Sequence, residues 1–262
     1  MPNEIPSFSH ARVARDTRGV YTLQIENAKS INILSSAVIE GLTAAAQWIA
    51  GEEDARAVVL RGHGERAFVA GADIYEMSAL DPASARRFIC SLRALCDAVR
   101  AIPVPTIARI PGYCLGGGLE LAAACDIRLG SELAQFGMPE VRVGIPSVIH
   151  AALLPKLIGP GATNWLLMTG ETVDAEQALK WGFLQFKSQH AGLDQLVEKT
   201  LHAILASGAR AVRSQKALLR YWEEASLADS MDRSVEAFAE AYATREPAEY
   251  MARFMSRGKS AS

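Results

Sequence analysis

The stretch from Gly112 to Glu140 limits what this chain can become more than any other. It opens Gly112-Tyr113-Cys114-Leu115-Gly116-Gly117-Gly118-Leu119-Glu120, runs on as apolar residues from Leu121 to Cys125, and closes with Phe136-Gly137-Met138-Pro139-Glu140. Three successive glycines where a helix should begin let the backbone turn and approach a ligand with no Cβ in the way. The run Leu119 to Cys125 then reads as a buried helix. The unpaired N–H groups of its first turn, at the positive end of the helix dipole, make a place for developing negative charge. Glu120 lies on that turn, and helical side chains lean toward the N-terminus, so its carboxylate points back to the same spot. A carboxylate beside an anion-stabilising backbone is a catalytic arrangement. A Gly-rich loop before a helix is also often only a tight connection. A second stretch shifts the balance: Ala67-Phe68-Val69-Ala70-Gly71-Ala72-Asp73-Ile74 is another small-residue loop directly after an apolar strand.

The surrounding chain reads as strand, loop and helix in rough repetition. Ala11 to Ala14 and Val20 to Ile25 flank the turn-rich Asp16-Thr17-Arg18-Gly19, which predicts a β-hairpin. Ser35 or Ser36 caps a helix to about Ala50, with Val38, Ile39, Leu42 and Ala46 at helical spacing. Strands are expected over Arg56–Leu60, Thr106–Ile110, Ile127–Leu129 and near Ala134–Phe136. A long helix is expected from Pro82 or Ser84 to Ile102, stopped by Pro103 and Pro105. Parallel strands joined by helices are the usual product of such a pattern, so the fold class is α/β. After Glu140 come helices over Val148–Leu157 and Ala162–Met168, a helix capped by Thr172-Val173-Asp174, and a last strand over Gly182–Lys187. From Leu193 to Arg257 everything reads as helix, which places a boundary between a core of residues 1–190 and a helical region of 191–262. Residues 1–8 read as irregular.

A chain of 262 residues, half of them hydrophobic, can bury one large core. A net charge of −2 exerts no general pull toward nucleic acid or an anionic membrane, so an anionic ligand needs local Lys or Arg. The apolar runs are too short to span a bilayer, and Met1 to His10 lacks the basic and apolar segments of a secretion signal. Cys90, Cys96, Cys114 and Cys125 form no CxxC pair; they read as reduced thiols, three of them in buried helical settings. The five histidines make no HExxH motif, so no metal site is expected. Together these features predict a cytoplasmic protein.

The two glycine-rich stretches together resemble the crotonase superfamily, the enoyl-CoA hydratases and isomerases. The residues that carry the resemblance are Phe68, Ala70-Gly71-Ala72-Asp73-Ile74, Gly112-Tyr113, Gly116-Gly117-Gly118 with Glu120, and Phe136-Gly137 with Pro139-Glu140. The resemblance implies a spiral of repeated ββα units followed by a C-terminal helical oligomerisation region that builds a homotrimer or homohexamer. The aromatics Trp222, Phe238, Tyr242, Tyr250 and Phe254 would then be interface or simply core. It implies an acyl-CoA substrate and no separate cofactor, coenzyme A arriving as part of the substrate. An oxyanion hole would form from the N–H groups of Ala72 and Gly117. Glu140 would supply the α-carbon proton and Glu120 would hold and activate water. Substrate and CoA contacts map to Ala28, Ser30, Ile31, Ala70, Gly71, Asp73, Ile74, Gly116, Pro139 and Ser147, with Lys29, Arg257 and Lys259 as candidate partners of the phosphates. Isomerisation, thioester hydrolysis or acyl-CoA binding without turnover are alternatives on the same residues.

One segment departs from many hydratases. They carry Pro-Gly, further glycines and Thr-Gln-Arg after the second glutamate; here the run is Gly144-Ile145-Pro146-Ser147-Val148-Ile149-His150-Ala151-Ala152. Ser147 and His150 therefore stand as polar residues near the site. His150 could serve as a third acid/base group, though such a histidine is more often structural.

Overall fold

The computed structural model describes residues 4–259, the last three by backbone alone. The start of the irregular N-terminus, residues 1–3, and the side chains of Arg257 and Lys259 lie outside the described residues.

Two sheets organise the chain. The larger one takes β1 (Ala11–Arg15), β2 (Val20–Ile25), β3 (Ala57–Arg61), β5 (Thr106–Ile110), β7 (Ile127–Ser131) and β10 (Phe186–Ser188), hydrogen-bonded in that order. The smaller one is ordered β4 (Ala67–Val69), β6 (Tyr113–Leu115), β8 (Gln135–Gly137) and β9 (Thr172–Asp174). The expected hairpin is the antiparallel pair β1–β2, whereas β2, β3, β5, β7 and β10 run parallel. In the small sheet β4, β6 and β8 are parallel and β9 is antiparallel to β8. Successive units alternate between sheets: β3 then β4, β5 then β6, β7 then β8. Each turn of the chain thus lays one strand in each sheet, which is the expected spiral. The three-residue strands β4 and β6 occupy stretches that read as loops in the sequence, because three residues carry no usable periodicity.

Burial explains the strand composition. Along β3, Val58 and Leu60 enter the main core while Ala57 and Val59 face the other way, the two-residue alternation of a pleated strand. Both faces are covered, so the strand reads as continuously apolar. The inner face packs with the small sheet and with α1 (Ser36–Ala50), α3 (Pro82–Ala101) and α4 (Gly117–Ala124). Helix α1 starts where Ser35 accepts the N–H of Val38, and α3 starts at an Asp81–Ser84 capping box with Pro82 in its first turn. The outer face is covered by α7 (Leu193–Leu205), whose Leu193, Val197 and Leu201 meet Val20, Val59, Ile107 and Leu129. Cys96, Cys114 and Cys125 are buried and Cys90 is exposed, all four as free thiols.

Beyond Glu140 the backbone differs from the expected helices. Residues Ile149–Leu153 form a 3-10 turn that feeds α5 (Leu154–Thr169). The expected gap between two helices is a sharp break inside α5, where Gly159 sits at φ +78 before Pro160. Asp174 caps α6 (Ala175–Lys180) as expected. Helices α8 (Ala209–Trp222), α9 (Leu227–Ala241) and α10 (Glu246–Lys259) complete the chain. Of the aromatics there, Trp222, Phe238, Tyr242 and Phe254 are exposed on this single protomer, so they do not form its core. No helix among the described residues is long and apolar enough to cross a membrane.

Candidate active site

The site lies at the C-terminal ends of β4, β6 and β8, three neighbouring parallel strands of the small sheet. Ala72 follows the end of β4, Gly117 and Glu120 follow β6, and Glu140 follows β8. Strand ends in a parallel sheet are where ligands commonly bind, because the loops there converge while the strands hold them in place.

Gly116 is the tightest point. Its φ of +53 and ψ of −126 belong to glycine, and a Cβ there would stand 2.6 Å from Glu140 Oε1 and 3.8 Å from the Gly71 Cα. The two glycine-rich loops and the second glutamate therefore meet at one residue. Gly116 donates its N–H to the Gly137 carbonyl at 2.9 Å, which ties the loop to β8. The N–H groups of Ala72 and Gly117 have no acceptor among the described residues. Helix α4 lies hard against β4: a Cβ on Gly118 would stand 2.3 Å from the Val69 carbonyl oxygen. At its far end the buried Arg128 donates to the carbonyls of Cys125 at 2.7 Å and Phe183 at 2.7 Å. A cation there satisfies the helix C-terminus and fixes the helix whose N-terminus forms the site.

Glu120 is 3% exposed. Its Oε1 accepts the Ala151 N–H at 3.1 Å. Burial, and then the charge of Glu140, push its carboxyl up to about 8, against the pull of the Ala151 hydrogen bond. Glu140 sits in a 3-10 helix, Pro139–Val143, with Pro139 as its first residue. Its Oε2 accepts the Ser147 hydroxyl at 3.0 Å, and burial raises its carboxyl as well. Two carboxyl groups in one poorly solvated site do not both ionise readily, and burial raises the proton affinity of each.

The loop of Ala28, Ser30 and Ile31 is laced to the loop of Ala70 and Gly71. Ala70 donates to the Ile31 carbonyl at 3.1 Å, and Leu34 donates to the Gly71 carbonyl at 2.9 Å. Ala28 is buried, Ser30 exposed and Ile31 half-buried. Asp73 caps α2 (Ile74–Ser78) and pairs with Lys29 at 2.5 Å, while Ile74 is exposed. Lys29 thus already has an anionic neighbour, and its ammonium also lies 5.5 Å from the centre of the Tyr75 ring. His150 is engaged elsewhere: its Nε2 faces Asp97 of α3 at 3.2 Å, and burial lowers its proton affinity.

Two contributors escaped the sequence reading. The Ala151 N–H that anchors Glu120 is a backbone group and leaves no mark in composition. Asn32, fully buried at φ +55, donates to the carbonyls of His63 at 3.1 Å and Ala67 at 3.0 Å and accepts the His63 N–H at 3.1 Å. It clips the loop of residues 28–32 to the start of β4. An asparagine set between Ile31 and Ile33 in a loop was its one available signal.

Comparison with known proteins agrees with this geometry. Residues 15–261 match the family model described as enoyl-CoA hydratase/isomerase. The chain belongs to the enoyl-CoA hydratase/isomerase, or crotonase, family. It is 32% identical over 238 residues to a crotonyl-CoA hydratase of Syntrophomonas wolfei, covering 90% of this chain and 92% of that one. It is 30% identical over 241 residues to a short-chain-enoyl-CoA hydratase of Clostridium acetobutylicum, covering 92% of each. The crystal structure of an enoyl-CoA hydratase from Bacillus anthracis superposes with a TM-score of 0.90 at 29% identity, over 95% of this chain and 96% of the other. This crotonase therefore shares its fold, and not only its glycine motifs, with the Bacillus anthracis enzyme.

Proposed function

We propose that this crotonase hydrates the 2,3 double bond of an enoyl-CoA thioester. The observation that carries the reading is the convergence at Gly116, where unpaired backbone N–H groups from two strand ends lie beside two carboxyl groups that both resist ionisation. Water attacks the β-carbon, and the π electrons move through the α-carbon onto the thioester oxygen. The N–H groups of Ala72 and Gly117 receive that oxyanion; loss of one such donor typically costs about 3–4 kcal/mol of barrier. Glu120, anchored by Ala151, holds the attacking water. Glu140 takes the proton that the water releases and delivers it to the α-carbon, so hydroxyl and hydrogen both derive from one water. Each carboxyl group ends the cycle in the protonation state in which it began.

The acyl-CoA would lie across the loops of residues 28–31 and 70–74. Assembly into a homotrimer or homohexamer would cover the exposed aromatics of α8 to α10. The test is the absorbance of the enoyl-thioester band with crotonyl-CoA, wild type beside Glu140→Gln. The band is expected to decay with wild type and persist with the variant. Decay at equal rates in both would refute the assignment of Glu140, and a flat wild-type trace across enoyl thioesters of different chain length would refute hydration.

A further inference from the structure

Glu140 has an unusual setting for a residue asked to deliver a proton in one direction. It stands on a five-residue 3-10 helix, and residues 141–146 beyond it are exposed. A glutamate side chain has three rotatable bonds, so its carboxyl group can present either oxygen at several angles unless something holds it. Seven residues later the chain returns, closed by the Ile145 N–H to the Glu140 carbonyl at 3.2 Å, and brings Ser147 back to the acid. The Ser147 hydroxyl donates to Oε2 at 3.0 Å. The other oxygen, Oε1, is the one against Gly116. The two oxygens thus have separate surroundings: one is tied to the returning loop and the other faces the turn between the glycine-rich loops. This loop is also the segment where the sequence departs from many hydratases.

We infer that Ser147 is a positioning residue for Glu140, holding Oε2 so that Oε1 alone is presented to the reacting carbon, rather than a contact to coenzyme A. The inference rests on the hydration reading for its kinetic arm but not for its structural arm. A donor on Oε2 also favours the ionised carboxylate against the surrounding burial. It thereby offsets part of the effect of burial and keeps Glu140 able to accept the water's proton. A hydroxyl in contact with the substrate would instead contribute to binding.

The experiment compares wild type, Ser147→Ala and Ser147→Thr. Turnover of crotonyl-CoA is measured as kcat and KM from pH 5.5 to 9. In parallel, the unliganded proteins labelled with carboxyl-carbon-13 glutamate are titrated by NMR, the Glu140 signal being identified by its loss in Glu140→Gln. Ser147→Ala is expected to lower kcat about tenfold with KM unchanged, the size of one hydrogen bond to a charged group. The Glu140 titration and the acid limb of kcat should both move to higher pH. Ser147→Thr keeps the hydroxyl and should restore both. An unmoved Glu140 titration in Ser147→Ala overturns the inference, as does a raised KM at constant kcat, which would make Ser147 a substrate contact. Where wild type fails to consume enoyl thioesters, the hydration reading falls, and the carbon-13 titration still decides the role of Ser147.

Discussion

Replacing Glu120 by glutamine should make the protein more stable, and more so the higher the pH. The carboxyl of Glu120 is buried, and its proton affinity rises from 4.5 to about 8 on folding. The folded protein holds that proton more tightly than the unfolded chain does. The contribution to stability is therefore complete below pH 4.5 and is lost as pH climbs through 8. At about 1.4 kcal/mol per pH unit, the loss is on the order of 3 kcal/mol at pH 7 and approaches about 5 kcal/mol above pH 8. Glutamine is nearly isosteric, carries no charge, and its carbonyl can still accept the Ala151 N–H. Guanidinium denaturation at fixed protein concentration would compare the two proteins from pH 4 to pH 9. The variant should match wild type near pH 4 and pull ahead steadily to pH 8. A difference that stays constant across this range would refute the burial argument, since a pH-independent gain would come from packing. Activity should fall in the same variant, so the residue would trade stability for function.

Three further expectations can be checked with single substitutions. Gly116→Ala places a Cβ 2.6 Å from Glu140 Oε1 on a backbone at φ +53; enoyl-thioester turnover should drop at least about a hundredfold, the effect of an ångström-scale displacement at a reacting group. Asn32→Ala orphans two carbonyls and one N–H around a buried clip and should cost about 3 kcal/mol or more in denaturant unfolding. His150→Ala should leave kcat and its pH profile unchanged while lowering stability by about 1–2 kcal/mol, because its ring serves Asp97 and not the glutamates; a shifted profile would return it to the chemistry.

The parts of this fold that were legible in the sequence are those where one physical demand acts on many neighbouring residues. β3, β5 and β7 announce themselves as short apolar runs because both of their faces are buried. α1 and α3 announce themselves by caps and helical spacing. The glycines at 116–118 were legible because a turn packed against neighbouring chain admits few residue types, and the glutamates at 120 and 140 because of their spacing from those glycines. Of the small sheet, β8 was legible near Ala134–Phe136, but β4 and β6 were hidden, since they are three residues each in glycine-rich stretches. Asn32 was hidden for another reason. Its partners, His63 and Ala67, lie 31 and 35 residues away and are engaged through backbone atoms, which every residue possesses. Ser147 stood out as polar, but its partner could only be found once the loop had closed.

The small sheet acts as a ruler. Hydrogen-bonded parallel strands keep roughly 4.8 Å between neighbours whatever side chains they carry. The span from the Ala72 N–H to the Gly117 N–H, and onward to Glu140, is thus graduated by backbone pairing along β4, β6 and β8. Core side chains can be exchanged freely, volume for volume, without re-cutting that scale. A chain can then drift to 29% identity with the Bacillus anthracis enzyme and still superpose at a TM-score of 0.90. By the same logic, the exposed loop of residues 141–146 is free to change, because it hangs beyond the last graduation.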